Sequence, residues 1–334
     1  MFKSFENLLY PYVYINIIEN LQETVVYIEE LYFSGSVDNY EEVFNTTKKE
    51  DIYEYIQSFA KKSPFYYISL LDNSPSYGAS SISFKGEGNL YYDSKHFENI
   101  CIPDKWIYFT SKSDLLELKN SYSKVGLDFI FSPFAILANF FNDKIKKNIA
   151  MYILINKDDL NISIFENSKL FFASHLYTNN KGTDADNELI DIDDNKELEL
   201  DDTIDVDLDD INIELMDEFA DIEDLDTFDD MDEFSQDIEE ENLDTKELQK
   251  DILEGQSNFS VDYYRFSLIQ NAVNDFYKNN KFDSKFIEMV YIADTVGITN
   301  DLKKFLEEEM FLNVYVRKMD LGSELCELSK VESK

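Results

Sequence analysis

The sequence predicts an α/β protein of two related lobes, interrupted by one long acidic insertion. Each half of the chain opens with hairpin-forming segments rich in β-branched and aromatic residues, and each continues with alternating helical and strand patterns. Between the halves, residues 184–244 hold most of the excess negative charge. Hydrophobic residues make up 44% of the chain, which is ample material for packed cores outside the insertion.

The first half begins with a predicted hairpin. Tyr12–Ile18 and Thr24–Tyr32 are rich in β-branched and aromatic residues, and a mostly polar turn separates them. Lys49–Ala60 is predicted to be a helix, because its apolar side chains recur at helical spacing. A later helix is predicted at Lys112–Val125, with Ser113 as its N-cap and Gly126 as its stop. The remaining predictions for this half are strands at Phe65–Leu71, Ser80–Phe84 and Trp106–Phe109 and a helix at Phe134–Phe141.

The second half repeats this order. Ile149–Ile155 is wholly apolar, Asn161–Phe165 alternates, and Leu170–Leu176 follows a polar turn, which together predict a second β-meander. Beyond the insertion, Val261–Asn279 has the spacing of a long amphipathic helix. The last predicted elements are a strand at Phe286–Ile292, a helix at Asp301–Glu309 and a strand at Asn313–Arg317. Because both halves follow one pattern, a duplicated α/β fold is predicted, and an unrelated pair of α+β domains is the alternative.

The insertion contains 30 acidic residues and one basic residue, Lys196, between positions 184 and 244. Like charges at this density repel one another, so the segment is expected to be a solvated, disordered loop. An alternative is an acidic-hydrophobic docking motif, in which Phe219, Phe228 and Phe234 would anchor in a basic groove of a partner.

Calcium binding in the insertion is not expected. Asp191, Asp193 and Asn195 stand at the first, third and fifth positions of a possible calcium loop. However, Lys196 occupies the sixth position, where the turn of an EF-hand requires glycine, and Asp202 replaces the bidentate glutamate at the twelfth. The sequence therefore predicts no metal site.

Charge and hydropathy exclude several classes of function. A formal net charge of −39 argues against binding to the phosphate backbone of nucleic acids and against docking on an anionic membrane by charge. The longest apolar candidate, Phe129–Phe141, is too short and too polar to span a bilayer, so no direct membrane insertion is expected. Two separated cysteines, Cys101 and Cys326, favour a reducing cytoplasm. His175 and Cys101 are interpreted as structural residues.

Four stretches in collinear order resemble actin-like proteins. Residues 149–178 are similar to the phosphate hairpin of the second lobe in this family, especially in the type IV pilus assembly protein PilM and the cytoplasmic domain of the type II secretion protein L (GspL). Asn161–Ile164 and Lys169–Leu170 match its strand and its tip. The other three stretches are Trp106–Leu137, Val261–Tyr277 and Val290–Leu321. The chain therefore resembles a degenerate member with an actin-like (ribonuclease H-like) two-lobed duplicated fold.

The resemblance also implies how the chain is divided. The first lobe would comprise residues 1–145, with a small subdomain inserted at about 77–127. The second lobe would comprise residues 146–180 together with 256–325. The acidic, largely disordered insertion would span residues 181–255, and residues 326–334 would form a flexible tail.

The nucleotide loops of the family are altered in this sequence. Actin-like ATPases hold phosphates through glycine turns and magnesium through nearby aspartates. The matching positions are Asn16 and Ile18 in the first hairpin, Leu154 and Asn156 in the second, and Asp294, Thr295 and Val296 before Gly297 in the last loop. A surviving cleft would be lined by Asn16, Asn156 and Gly297; the alternative, which is favoured, is that all three are ordinary turn residues. Branched side chains obstruct phosphate and added carboxylates repel it, so the sequence predicts no ATP–Mg cofactor and no ATPase activity.

The resemblance implies a non-catalytic cytoplasmic scaffold of a type IV pilus, type II secretion or DNA-uptake (competence) machine. Such a protein binds a PilN-like or secretion inner-membrane protein, lies at the inner membrane through that partner, and links it to the assembly motor, which would be an assembly ATPase. One alternative is a nucleotide-binding actin-like ATPase of the division or filament type. Another is an acidic adaptor with a different fold.

Overall fold

The computed structural model describes residues 10–81, 95–102, 105–178, 245–278, 285–298 and 300–334, with side chains beyond the insertion described from residue 261. The chain divides into one unit of residues 1–184 with 254–334 and another of residues 185–253. All described strands belong to the first unit. They are β1 Tyr12–Glu19, β2 Glu23–Leu31, β3 Val37–Asn45, β4 Tyr66–Leu71, β5 Gly78–Ser81, β6 Phe97–Ile102, β7 Trp106–Ser111, β8 Phe129–Phe131, β9 Ala150–Ile155, β10 Asp159–Glu166, β11 Lys169–Tyr177, β12 Met289–Asp294 and β13 Asn313–Lys318.

Two five-stranded sheets have the same connectivity. The first sheet has the order β3-β2-β1-β4-β8, and the second has the order β11-β10-β9-β12-β13. In each, three strands form an antiparallel meander, the fourth strand pairs in parallel with the first, and the fifth pairs in parallel with the fourth. Both predicted hairpins are confirmed. The sheets are therefore two copies of one topology, as the repeated pattern of the sequence predicts.

The helices cover both faces of each sheet. α1 packs on the first sheet through Ile52, Ile56 and Phe59, and α4 and α5 pack on the second. Because both faces are covered, β1 and β9 are apolar almost without interruption. The described helices are α1 Lys49–Ala60, α2 Lys112–Ser121, α3 Pro133–Phe140, α4 Thr245–Lys278, α5 Asn300–Glu308 and α6 Leu321–Glu332.

The two lobes exchange their last helices. α3 follows the last strand of the first sheet but packs against β9 and β10 of the second, where Phe134 and Leu137 join the core of Tyr152. α6 follows the last strand of the second sheet but packs against β1, β2 and β4 of the first. Leu325 of α6 belongs to the same buried cluster. This exchange places a continuous apolar core between the sheets.

The carboxyl terminus is the clearest difference from the sequence prediction. Residues 326–334 were expected to be a flexible tail, yet α6 extends to Glu332 and buries Cys326 and Ser329. Asp320 caps this helix by accepting a hydrogen bond from the Ser323 backbone N–H at 3.0 Å. The expectation of a tail is wrong, because the apolar side chains of α6 pack on the first lobe, which is distant in sequence.

The small three-stranded sheet has the order β5-β7-β6 and lies in sequence between β4 and β8. α2 follows β7, and its N-cap is Ser111, whose hydroxyl accepts from the Asp114 N–H at 3.1 Å. The prediction of Ser113 as the cap is therefore wrong by two residues. β3 and β6 were not predicted. Among the helices of the described residues, none combines the length and apolar character needed to span a bilayer.

Candidate functional site

The tips of the two long hairpins touch each other. The backbone N–H of Leu21, in the β1–β2 turn, donates to Asp158 Oδ2 in the β9–β10 turn at 2.7 Å. Lys157 Nζ lies 2.8 Å from Glu23 Oε1, which adds an ion pair between the same two turns. These turns correspond to the two hairpin loops that the resemblance assigns to phosphate binding. In this chain they bind one another.

The loop after β12 binds a carboxylate of its own. Asp294 accepts backbone hydrogen bonds from Val296 at 3.1 Å, Gly297 at 2.9 Å and Ile298 at 3.0 Å. Gly297 has a φ of +78°, in the left-handed region that glycine adopts without strain. Successive N–H groups that converge in this way form an anion-binding nest. Its anion here is the buried Asp294 side chain, so these donors are already used.

Asn156 lies beside this loop. The N–H and hydroxyl of Thr295 both donate to the carbonyl of Ile155, at 3.2 and 2.9 Å, which ties the loop after β12 to the end of β9. The Asn156 side chain donates to Asp159 Oδ1 at 2.8 Å. Asn156 and Gly297 are therefore on neighbouring loops, at the carboxyl ends of the parallel strands β9 and β12. That they line one cleft stays a prediction.

Asn16 does not line an open cleft, contrary to that prediction. Its side chain is fully buried beneath α6. Asn16 Oδ1 accepts from the Ser69 hydroxyl at 2.7 Å and from the Ser329 hydroxyl at 3.2 Å, and Nδ2 donates to the Tyr27 carbonyl at 3.4 Å. Asn16 thus joins two strands to the carboxyl-terminal helix. The sequence could not show this, because α6 was not recognised.

A buried polar cluster joins the small subdomain to the second lobe. The Tyr77 hydroxyl donates to Asn161 Oδ1 at 2.7 Å, and Asn161 Nδ2 donates to Asp159 Oδ1 at 3.0 Å. Burial raises the pKa of Tyr77 well above its usual value, so the hydroxyl remains a donor. The His175 ring stacks on Tyr77 at 4.3 Å. The one sequence signal for this cluster was an asparagine at a buried position of an apolar strand.

The predicted anchors of the acidic arm, Phe219, Phe228 and Phe234, lie outside the described residues. The calcium-loop candidates Asp191, Asp193, Asn195 and Asp202 also lie outside them. Within the part of the chain that the structure describes, no three His, Cys, Asp or Glu side chains are grouped as for a metal ion.

The strand order and the exchanged helices define the class of this protein. Two sheets of order 3-2-1-4-5, each with a second strand antiparallel to the rest of its meander and each covered by helices, form an actin-like (ribonuclease H-like) duplicated fold. The chain belongs to the family described as Domain of unknown function (DUF8341), whose sequence model matches residues 151–334, more than half of its length. A second domain of unknown function, DUF8569, matches residues 10–138.

A search of curated proteins finds no match. Among solved structures, a Bacteroides thetaiotaomicron protein with an actin-like ATPase fold and unknown function is 11% identical, with a TM-score of 0.44 over 97% of both chains. A PilM–PilN type IV pilus biogenesis complex is 8% identical, with a TM-score of 0.47 over 91% of this chain and 87% of that chain. Ethanolamine utilization protein EutJ from Carboxydothermus hydrogenoformans is 7% identical, with a TM-score of 0.29 over 52% and 55%. The fold assignment itself rests on the strand order of the two sheets.

Proposed function

We propose that this protein is a non-catalytic scaffold with an actin-like body, which binds a membrane-anchored partner of a pilus, secretion or DNA-uptake machine at the cytoplasmic face of the inner membrane. The observation that carries the non-catalytic part is the Asp294 carboxylate inside the nest of the last loop. The type of machine and the PilN-like partner come from the resemblance of the sequence to PilM and GspL.

Three features support the absence of nucleotide binding. A phosphate at the last loop would have to displace a buried carboxylate that already holds three N–H donors. A phosphate between the hairpins would have to break the Leu21–Asp158 and Lys157–Glu23 contacts. It would also meet the carboxylates of Asp158 and Glu23, which repel an anion. Each of these features disfavours a triphosphate at these loops.

Differential scanning fluorimetry with ATP and magnesium tests this part. A protein that bound the nucleotide at one hundred times its Kd would gain about 2.7 kcal/mol of stability, which is a shift of several degrees. We expect the melting temperature with ATP–Mg to equal that with magnesium sulfate at matched ionic strength. A reproducible rise that ATP causes and sulfate does not would favour the alternative, an actin-like ATPase.

Co-purification tests the scaffold part. The full chain and a version lacking residues 184–244 would each be used as bait against detergent-solubilised membranes of the source organism. We expect both to capture the same bitopic membrane protein, because the actin-like body presents the rigid surfaces. Recovery by the full chain alone would place docking on the acidic segment, and recovery of no pilus or secretion component would contradict the proposal.

A further inference from the structure

The second sheet ends in an exposed strand. β13 is an outer strand of this sheet, and within the described residues no strand pairs with its far edge. Every side chain of β13 except Val314 is exposed. The edge of a sheet presents unpaired backbone N–H and C=O groups, which can accept a further strand.

A row of tyrosines crosses the sheet and ends at this edge. Tyr152 on β9, Tyr291 on β12 and Tyr315 on β13 are direct cross-strand neighbours. Their rings stack with centroids 5.3 Å apart in both steps. Exposure rises from 0% at Tyr152 to 54% at Tyr315, and among the described residues no ring other than that of Tyr291 stacks on Tyr315. Aromatic cross-strand pairs stabilise sheets, and the next position in this row lies beyond β13.

Two cations lie at the same edge. The Arg317 guanidinium is held 5.3 Å from the ring centroids of both Phe140 and Phe141. Asp143 and Glu324 interact electrostatically with Arg317, but Asp143 is paired with Lys144 at 3.1 Å. In the part of the chain that the structure describes, neither Arg317 nor Lys318 forms an ion pair, although the whole chain has a net charge of −39.

A shallow pocket lies between the outer part of the aromatic row and Arg317. Its volume is about 320 Å³. It lies over the face of the sheet that carries Tyr291 and Tyr315, next to the guanidinium of Arg317. Tyr315 and Arg317 are two residues apart on one strand, so their side chains point to the same face. An aromatic ring and a carboxylate with the same spacing on an added strand would face them directly.

We propose that β13 is a docking edge for an extended segment of a partner protein that adds a sixth strand to the second sheet. Its aromatic side chain stacks on Tyr315, and its carboxylate, two residues away, pairs with Arg317. The chain as a whole is acidic, which disfavours an acidic segment on most of its surface, whereas Arg317 and Lys318 favour one at this edge. This surface goes beyond the proposed function, because it does not depend on the nucleotide loops.

Fluorescence anisotropy tests the docking edge. The probe is a labelled heptapeptide of threonines carrying one phenylalanine and one glutamate two positions apart, titrated with the full chain. Arg317→Glu and Tyr315→Ala should each weaken binding about tenfold or more, because each removes a principal contact. Lys61→Glu makes the same charge change at another exposed position and should leave the affinity unchanged. A control peptide with glutamine in place of glutamate should bind less tightly.

Hydrogen exchange locates the contact. Binding should slow exchange of amides in 313–318 and leave those of β3, an outer strand of the first sheet, unchanged. The proposal is overturned if the heptapeptide does not bind at millimolar concentration, or binds Arg317→Glu as tightly as the parent chain. It is also overturned if sedimentation shows a dimer that Arg317→Glu dissociates, because a second copy of the chain would then occupy the edge.

Discussion

Gly322 shows how a single residue allows the carboxyl-terminal helix to reach the first sheet. A Cβ atom at this position would lie 2.6 Å from both Cβ and Cγ of Tyr27, which are fixed to the backbone of β2. Alanine favours a helix over glycine by up to about 1 kcal/mol, but overpacking costs about 1–3 kcal/mol. We therefore expect Gly322→Ala to lower the free energy of unfolding by roughly 1–2 kcal/mol, measured as a lower urea midpoint.

The matched control is Val331→Ala on the exposed side of the same helix. It keeps or improves helix propensity and removes no buried contact. Its free energy of unfolding, measured by urea denaturation, should therefore stay within about 0.5 kcal/mol of that of the parent. Equal effects of the two substitutions would mean that α6 does not approach Tyr27 as closely as the structure has it.

Asp72, just after β4, gives a pH dependence with a definite sign. The residue is buried, and burial raises the pKa of its carboxyl above the ordinary value of 3.8. The folded state then holds the proton at pH values where the unfolded state has lost it. Stability is therefore lost as the pH rises from about 3.8 through the pKa of the folded state.

Asp72→Asn removes this titration and keeps an acceptor for the Ser74 N–H, which donates to Asp72 Oδ1 at 3.0 Å. The stability of Asp72→Asn relative to the parent chain should thus improve as the pH rises from about 3.8 through the pKa of the folded state. Glu54→Gln, on the exposed face of α1, should show no such trend. Urea unfolding at several pH values measures the difference, and a flat or opposite trend would contradict the assignment.

At the loops that match the nucleotide loops of the family, the sequence shows that glycine is absent, but it does not show that a carboxylate of the chain takes the place of a phosphate. The loss of glycine from the loop after β12 could be read directly from Asp294, Thr295 and Val296. That the Asp294 side chain turns back to take the N–H groups of its own loop depends on backbone geometry, which no spacing rule contains. The position of Asn156 directly after β9 can be predicted, because the end of that strand is marked by the end of an apolar run.

At the scale of secondary structure, prediction succeeded where burial is one-sided and local. α1 was predicted with its observed bounds, because Ile52, Ile56 and Phe59 form one apolar stripe. β3 was missed because both of its faces are largely exposed, so its residues show no alternation. α6 was missed for a different reason. Its buried positions pack on a sheet more than two hundred residues earlier in the chain, and nothing local identifies that partner.

Removing α6 tests whether the carboxyl terminus is a structural element. A chain ending at Asp320 would lose Leu325 and Cys326 and would expose the covered face of β1, including Tyr14 and Asn16. Losses of buried side chains of this size cost about 2–5 kcal/mol each, which approaches the whole stability of a domain. We expect this chain to melt at least about 10 °C lower, or not to fold, as measured by circular dichroism.

Two further variants keep this test decisive. Leu325→Ala should fold and lose about 2–5 kcal/mol, because it empties a fully buried site without removing the helix. A chain ending at Val331 lacks only exposed or half-buried residues and should lose less than about 1 kcal/mol. If the chain ending at Asp320 melted like the parent, α6 would contribute nothing to stability, and the expectation of a flexible tail at residues 326–334 would stand.

For the unit that contains both sheets, the exchanged helices have a consequence for folding. When the first lobe unfolds it withdraws α3 from β9 and β10, and when the second unfolds it withdraws α6 from β1 and β2. Either loss exposes one face of the remaining sheet and part of the shared core around Tyr152 and Leu325. Each lobe alone would therefore lack the helix that packs on one face of its sheet. The cost of leaving that surface in water favours a single cooperative transition.

Two probes can test this cooperativity. Trp106 is the sole tryptophan, and its ring lies 5.7 Å from Phe165 of the second lobe, so its fluorescence reports that contact. Circular dichroism reports the helices and strands of both lobes. We expect the two urea transitions to coincide, and Leu137→Ala and Leu325→Ala each to shift both curves together, because the two side chains lie in one core. Separate midpoints, or a shift of one curve alone, would show that the lobes unfold independently and that the exchanged helices do not couple them.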